Sequence, residues 1–361
     1  MILVINAGSS SIKYSLYSAT DLDFLGKGLI EEVESHRDGF MQMIRDLQSK
    51  NIDFGDIKAI GHRVVHGGES FFEPTLITDE VLNKIIAITP LAPLHNPANI
   101  EGIRAAMDIA VGVKNFAIFD TAFHQSMPEY AYKYPIPPEF YIKSHVRRYG
   151  FHGTSHHYVA TKAAEILGKS LDNLNLITLH LGNGASACAI EQGKSIDTSM
   201  GLTPLEGLMM GTRSGSIDPS IIGFLVREYD LSIEEIENTL NKKSGLLAVA
   251  KTNDMRTIIE RFEQGDKEAT LALEMFIYRV KKQLGEYMAI LDGVDAVIFT
   301  GGIGEHSRII QQRVCEKMSH LGIELGTDDK TIISSSTSSV AVLVIPTNEE
   351  LQIAKYVKQN I

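Results

Sequence analysis

The chain has 361 residues, 44% hydrophobic and 22% charged, which suits about two well-packed domains. Its formal net charge of -11 and pI near 5.6 argue against a nucleic-acid or anionic-membrane partner, since both need a broad basic field, though not against local basic pockets. The only cysteines, Cys188 and Cys315, form no C-x-x-C pair, so neither a disulfide framework nor a cysteine zinc site is indicated and a reducing cytoplasm fits.

The opening M-I-L-V-I-N-A-G has no basic flank and is too short to span a bilayer, so it reads as a buried strand over Met1 to Ile5. Small turn residues follow from Asn6 to Ser11, and Ile12 to Ser18 alternates apolar and polar side chains as a hairpin partner does. The turn N-A-G-S-S-S-I-K offers unobstructed backbone N–H groups, hydroxyls and Lys13, which a phosphate cradle needs. An ordinary polar hairpin accounts for the same residues.

A strand is predicted over Ile57 to Ile60, with His62, Arg63 and His66 beside Gly67 and Gly68 at its end. There a guanidinium can grip a carboxylate or phosphate with two N–H groups, or simply be solvated. Pro97 to Ala110 places Ile100, Ile103, Met107 and Ala110 at helical spacing, with Asn96 as its cap. After the strand Asn115 to Phe119, Asp120 stands where α/β proteins put functional carboxylates, or where an aspartate caps the next turn.

Y-G-F-H-G-T-S-H-H sets His152 in a glycine-flanked turn before a helix from about His156 to Leu167. Its histidines lack partners at zinc spacing, so His152 reads as a phosphate donor. Leu174 to His180, Leu181 to Gly184 and Ala185 to Ile190 then repeat the opening strand, glycine turn and strand, which suggests two related halves and a pair of phosphate hairpins.

In G-T-R-S-G-S-I-D-P, small neighbours leave Arg213 able to stabilise charge on a transferring phosphoryl group. N-D-M-R, from Asn253, is either a helix cap or an adenosine contact. A long helix from about Glu268 to Leu291 is stopped by Gly293, and a strand covers Asp295 to Thr300. The joint T-G-G-I-G-E-H-S does not satisfy G-x-G-x-x-G and precedes a helix of about Arg308 to Leu321. It serves either tight packing or a nucleoside pocket. A strand at Val340 to Ile345 leads to a last helix capped by Thr347 or Asn348, with Glu349 in its first turn, where the helix dipole alone accommodates a glutamate. Strand and helix alternate throughout, so the class is α/β.

Together N-A-G-S-S-S-I-K, G-H-R-V-V-H-G-G-E, L-H-N-P-A-N, F-D-T-A-F-H, Y-G-F-H-G-T-S-H, H-L-G-N-G, L-E-G-L-M-M-G-T-R-S-G, F-T-G-G-I-G-E and P-T-N-E-E-L resemble the acetate kinase family. The resemblance runs from Asn6 to Glu349. It implies two duplicated actin-like ATPase (ribonuclease H-like) domains with a nucleotide cleft between them. Residues 1–147 plus 347–361 would form the N-terminal domain with a returning C-terminal helix. Residues 148–346 would form the C-terminal domain, which binds nucleotide and dimerises. The implied reaction is reversible, Mg²⁺-dependent (or Mn²⁺-dependent) in-line transfer of the ATP γ-phosphoryl group to acetate, giving acetyl phosphate and ADP, in a cytoplasmic homodimer.

By the same resemblance, Asn6 and Glu349 position the metal, while Asp120, His152 and Arg213 act on the reacting groups. Arg63 binds the acid carboxylate, with Val65, Leu94, His95, Phe151 and Pro204 around it. Lys13 and His180, Leu181, Gly182, Asn183 and Gly184 hold phosphates. Asp254, Met255 and Arg256, with Gly302, Ile303, Gly304, Glu305 and His306, hold the adenosine. Two departures are visible: Ser18 to Gly55 is shorter than the family pattern, and His306 stands where asparagine is usual. Propionate and butyrate are alternative acceptors, since one methylene shifts discrimination by only about 1–3 kcal/mol. A non-catalytic actin-like nucleotide switch or an ATP-driven chaperone is the reading from a different class.

Overall fold

The computed structural model describes all residues except 34, 94 and 328–330. The apolar start forms β1 (Ile2–Ala7), and the alternating segment after the Gly/Ser turn forms β2 (Ser11–Tyr17), antiparallel to it with Asn6 opposite Lys13. With β3 (Phe24–Glu31), β4 (Ala59–Val64), β5 (Thr75–Leu76) and β6 (Lys114–Phe119) they make a sheet in the order β3-β2-β1-β4-β6-β5. A second sheet, ordered β11-β10-β7-β8-β9, contains β7 (Asn175–Leu181), β8 (Ala185–Glu191), β9 (Lys194–Thr198), β10 (Ala296–Thr300) and β11 (Ala341–Val344).

The two sheets share one plan. Each begins with an antiparallel three-strand meander, and the first strand of the meander takes two successive parallel neighbours on its other side. The short β5 is an addition to the first sheet, antiparallel to β6. The two related halves expected from the paired hairpins are therefore present in the topology.

The chain divides into two compact units. Unit 1 is Met1–Gln125, Phe151–Tyr158 and Asn348–Ile361; unit 2 is Ser126–Gly150 and Val159–Thr347. The chain first crosses after Gln125 rather than near residue 147, for identifiable reasons. Tyr149 N and Gly150 N donate to the Gly201 carbonyl within unit 2. Gly153 N donates to the Asp120 carbonyl (2.9 Å) and His124 Nε2 to the Phe151 carbonyl (3.0 Å), which hold 151–158 to the end of β6 in unit 1.

In unit 1 both faces of β1 are covered, as suits a strand with a parallel partner. Leu3 and Ile5 pack with Tyr14, Phe40, Met43 and Ala106 on one face. Ile2 and Val4 pack with Phe116, Ile118, Ile353 and Val357 on the other. The last two belong to the helix Glu349–Gln359, and burying each such side chain contributes about 1.5–3 kcal/mol, so this helix is anchored in unit 1. Its N-cap is Asn348, whose Oδ1 accepts from Leu351 N at 2.9 Å.

Two local expectations are corrected, and one element is added. Asn96 is the first residue of the helix Asn96–Ile109 rather than its cap, because its side-chain amide is committed to the backbone of His66. The helix beginning at Arg308 ends at Cys315, and a short 3₁₀ turn at Ser319–Leu321 closes on Gly322 in the left-handed region (φ 82°). The glycine joint itself forms a helical turn, Gly301–His306, entered through Gly301 at φ 76°.

Candidate active site

In unit 1, β4 and β6 are parallel neighbours with Arg63 opposite Ile118, so both strands end on the same side of the sheet. Arg63 Nε donates to Asp120 Oδ1 at 3.0 Å and Nη2 to Oδ2 at 2.5 Å, a two-pronged pair. Glu349 Oε2, in the first turn of the last helix, lies 3.5 Å from Arg63 Nε. Its neighbour Glu350 pairs with Lys13 on β2. Asn6, Lys13, Arg63, Asp120 and Glu349, separated widely in sequence, thus belong to one linked set.

The electrostatics of this set are under tension. Burial raises the Asp120 carboxyl above the ordinary value against the pull of Arg63, and the like charge of Glu349 adds to the rise. Burial opposes the charge on Arg63, but Asp120 and then Glu349 outweigh it and hold the guanidinium pKa above its usual value. Nearby His62 and His66 are pulled down to about 4 by burial, so both are neutral imidazoles at pH 7. His62 donates from Nε2 to Asn115 Oδ1 at 2.8 Å.

The segment after β4 is set by helix Asn96–Ile109. Val65 N donates to Asn99 Oδ1 (3.1 Å) and His66 N to Asn96 Oδ1 (3.2 Å). His95 is the N-cap residue of this helix without a side-chain cap bond. Leu94 lies outside the described residues. Phe151 is buried with its ring edge-on to His66, 5.7 Å between centroids. His152 follows in the left-handed region (φ 57°), and its carbonyl accepts from His156 N at 2.9 Å. Gly153 allows the close approach: a Cβ there would meet the Asp120 carbonyl oxygen at 2.4 Å.

In unit 2, the H-L-G-N-G turn ends β7, with His180 opposite Ser186 on β8 and Thr300 on β10. Asn183 gathers two other motifs: its carbonyl accepts from Gly211 N (2.9 Å), and its Oδ1 accepts from Asn253 Nδ2 (3.1 Å). Gly301 backs directly onto this turn, since a Cβ there would lie 2.8 Å from the Leu181 carbonyl oxygen. The H-L-G-N-G turn, the Arg213 segment, N-D-M-R and the glycine joint are therefore one neighbourhood.

Within it, Arg213 makes a single side-chain polar contact among the described residues, to the Met210 sulfur at 3.9 Å, and burial lowers its pKa. It is a half-buried cation with no carboxylate paired to it among the described residues. Other predicted residues carry structural duties. Asp254 caps helix Met255–Glu263 and takes both Nε (3.1 Å) and Nη2 (2.7 Å) of Arg256, which holds its carboxyl down at about 2. Met255 is buried. Glu305 Oε1 accepts from Gly301 N (2.8 Å) and Thr347 N (3.1 Å), tying the glycine joint to the segment after β11. Gly302, Ile303 and Gly304 lie on the same helical turn, whose last residue, His306, is exposed. Pro204 lies in a turn of unit 2, apart in the chain division from Arg63, Val65 and Phe151 of unit 1.

Sequence reasoning passed over Asn99 and His36, and it named Asn96 as a cap and Asn183 as a phosphate contact without the backbone and side-chain partners they hold. The signal for Asn96 and Asn99 was their i, i+3 spacing in L-H-N-P-A-N, which puts both amides on one helix face.

A family model described as the acetokinase family matches residues 1–355. The chain belongs to the acetokinase family. Among its relatives, an acetate kinase of Sulfurovum sp. (strain NBC37-1) is 49% identical over 98% of this chain and 97% of its own length. The crystal structure of Porphyromonas gingivalis acetate kinase superposes with TM-score 0.93 at 41% identity, covering 98% of each chain. A propionate kinase from Francisella tularensis subsp. tularensis SCHU S4 gives TM-score 0.92 at 44% identity, again over 98% of each chain. These acetokinase-family structures carry the same duplicated α/β fold through both units, as expected of actin-like domains. No helix among the described residues is long and apolar enough to cross a membrane.

Proposed function

We propose that this chain is an ATP-dependent acetate kinase. An acetate oxygen attacks the γ-phosphorus in line, the bond from that phosphorus to the β,γ-bridging oxygen breaks, and acetyl phosphate and ADP result; the reverse reaction uses the same groups. No general base is required, because acetate is already ionised at neutral pH. The observation that carries the reading is Arg63, a guanidinium held at the end of β4 by Asp120 through Nε and Nη2, whose remaining N–H groups would receive the acid's carboxylate.

In unit 1, Val65 and Phe151 bound the acid on its apolar side, His95 supports them, and His152 donates to the phosphoryl oxygens. In unit 2, His180 to Gly184 cradle the phosphates and residues 254–256 with 302–306 flank the adenosine. Arg213 meets the charge that spreads over the transferring group, a role suited to a cation with no carboxylate paired to it among the described residues.

The donor set also fits Mg²⁺. The Asn6 amide and Glu349 carboxylate are hard oxygen donors, and the crowded Asp120 and Glu349 charges are of the kind a divalent cation relieves. No group of three or more His, Cys, Asp or Glu among the described residues is arranged to hold a metal, which suits an ion held largely by phosphates and water. When bound, the ion neutralises phosphate charge.

Propionate is the second acceptor to consider, favoured by the close likeness to the Francisella propionate kinase. A homodimer is part of the proposal. Helix Ser220–Tyr229 has no buried residue yet carries Ile221, Ile222, Phe224, Val226 and Tyr229, an apolar face suited to a second copy. A cytoplasmic setting accords with two buried free thiols.

Incubation with ATP, Mg²⁺, acetate and hydroxylamine should yield acetyl hydroxamate. Absence of any acid-dependent product, with ATP still bound, would favour the nucleotide switch. The ranking of kcat/KM for acetate, propionate and butyrate decides the acceptor.

A further inference from the structure

We propose that Asn99 is a positioning residue that ties the phosphate turn of unit 1 to its acid-binding segment; the inference rests on the functional reading above. The ladder between β1 and β4 runs from Ile2↔Ala59 to Ile5↔His62. Beyond it lie Ala7, entering the turn, and Val65, entering the acid segment. Asn99, buried on helix Asn96–Ile109, spans them: Nδ2 donates to the Ala7 carbonyl at 2.9 Å, and Oδ1 accepts from Val65 N at 3.1 Å. A side-chain amide has the donor and acceptor of a peptide group, so it continues the ladder where the strands stop pairing.

Two features of the same helix reinforce this contact. Gly102 brings it against the turn, since a Cβ there would lie 2.6 Å from Ala7 Cβ. Glu101 Oε2 lies 2.8 Å from His36 Nδ1, while His36 Nε2 donates to the Gly8 carbonyl at 2.8 Å. The carbonyls of Ala7 and Gly8 are thus both held. Because a trans peptide is planar with N–H opposite C=O, fixing the Gly8 carbonyl aims the Ser9 N–H to the opposite side. Ser9 and Ser10 are exposed there, where a phosphate oxygen can be met. Asn99 thereby sets the turn and, through Val65, the chain two residues beyond Arg63.

The test compares wild type, Asn99→Asp and Asn99→Ser by calorimetric binding of Mg²⁺–ADP, acetate KM in the hydroxamate assay, and thermal unfolding. Aspartate keeps an acceptor for Val65 N but sets an oxygen against the Ala7 carbonyl, so the ADP Kd should rise roughly tenfold with acetate KM within about twofold. Serine is too short to span both partners, so both constants should rise roughly tenfold. Lowered melting temperatures with ADP Kd and acetate KM unchanged in both variants would mean a merely structural asparagine and overturn the proposal. If both unfold, His36→Phe, which releases the Gly8 carbonyl and the Glu101 carboxylate but leaves Asn99 in place, must weaken ADP by a similar factor; unchanged ADP binding overturns it. Wild type that binds ADP but makes no hydroxamate defeats the acetate reading alone, and the ADP arm still decides the role of Asn99.

Discussion

The Arg63 guanidinium meets the Asp120 carboxylate edge to edge, Nη2 to Oδ2 at 2.5 Å, across the ends of two parallel strands. Asp120 is almost wholly buried, so removing its partner strands a carboxylate away from water. Arg63→Ala should destabilise unit 1 by about 3 kcal/mol at pH 8. The loss should shrink towards pH 5, where Asp120, already shifted upward by burial, takes a proton and loses its charge. Melting curves of wild type and variant at both pH values check this; an equal loss at both would contradict it.

Arg213 has no such dependent. With no carboxylate paired to it among the described residues, Arg213→Ala leaves no orphaned charge and should change the melting temperature little. Its kcat should fall by about 10²–10³, the usual consequence of deleting a transition-state donor, while the nucleotide KM moves only slightly. Steady-state kinetics decide, and an unchanged kcat removes Arg213 from the chemistry.

The buried histidines make stability pH-dependent. His62 and His66 stay neutral until about pH 4 in the folded chain, whereas unfolded histidine takes a proton near 6.5. The unfolded state therefore binds more protons between these values. Stability is complete above about pH 6.5 and is lost as pH falls towards 4, by about 3 kcal/mol for each histidine. Asp120, whose folded pKa is raised, works in the opposite sense in the lower part of this window but is a single group. Thermal unfolding between pH 7.5 and 4.5 should show the decline, and His62→Gln should flatten it.

Gly153→Ala should separate positioning from folding. Its new methyl group would press on the Asp120 carbonyl oxygen, which lacks the freedom of a flexible side chain. We expect kcat to drop more than about tenfold as His152 and Asp120 are forced apart, a size typical of small misplacements at a reacting centre. Activity close to wild type would show that this spacing is not critical.

Charging the apolar helix tests assembly. Phe224→Asp changes an exposed side chain and should leave the fold intact while converting dimer to monomer in sedimentation. A wild type that sediments only as monomer would refute the dimer itself.

Strand alternation and the small residues after β1 and β7 made both hairpins legible, because a turn's need for Gly and Ser and a strand's period of two are properties of adjacent residues. The same locality explains the failures. Asn96 looked like a cap because its neighbours suit one, yet its amide was claimed by His66, 30 residues away. That Glu305 also accepts from Thr347 N, 42 residues on, was equally invisible in its own stretch of chain.

By itself, then, the sequence determined the elements and, through nine motifs in order along the chain, the family; each glycine turn, arginine or carboxylate taken singly left a structural reading open. The tertiary structure decided who meets whom. Arg63 finds Asp120, 57 residues later, only because β4 and β6 lie parallel in register. Residues 151–158 join unit 1 only because the Asp120 and Phe151 carbonyls are held there. Asn99 becomes a bridge only because two strands part in front of it. A polar side chain carries its donors and acceptors in its identity, but its partners are set by what the fold brings opposite.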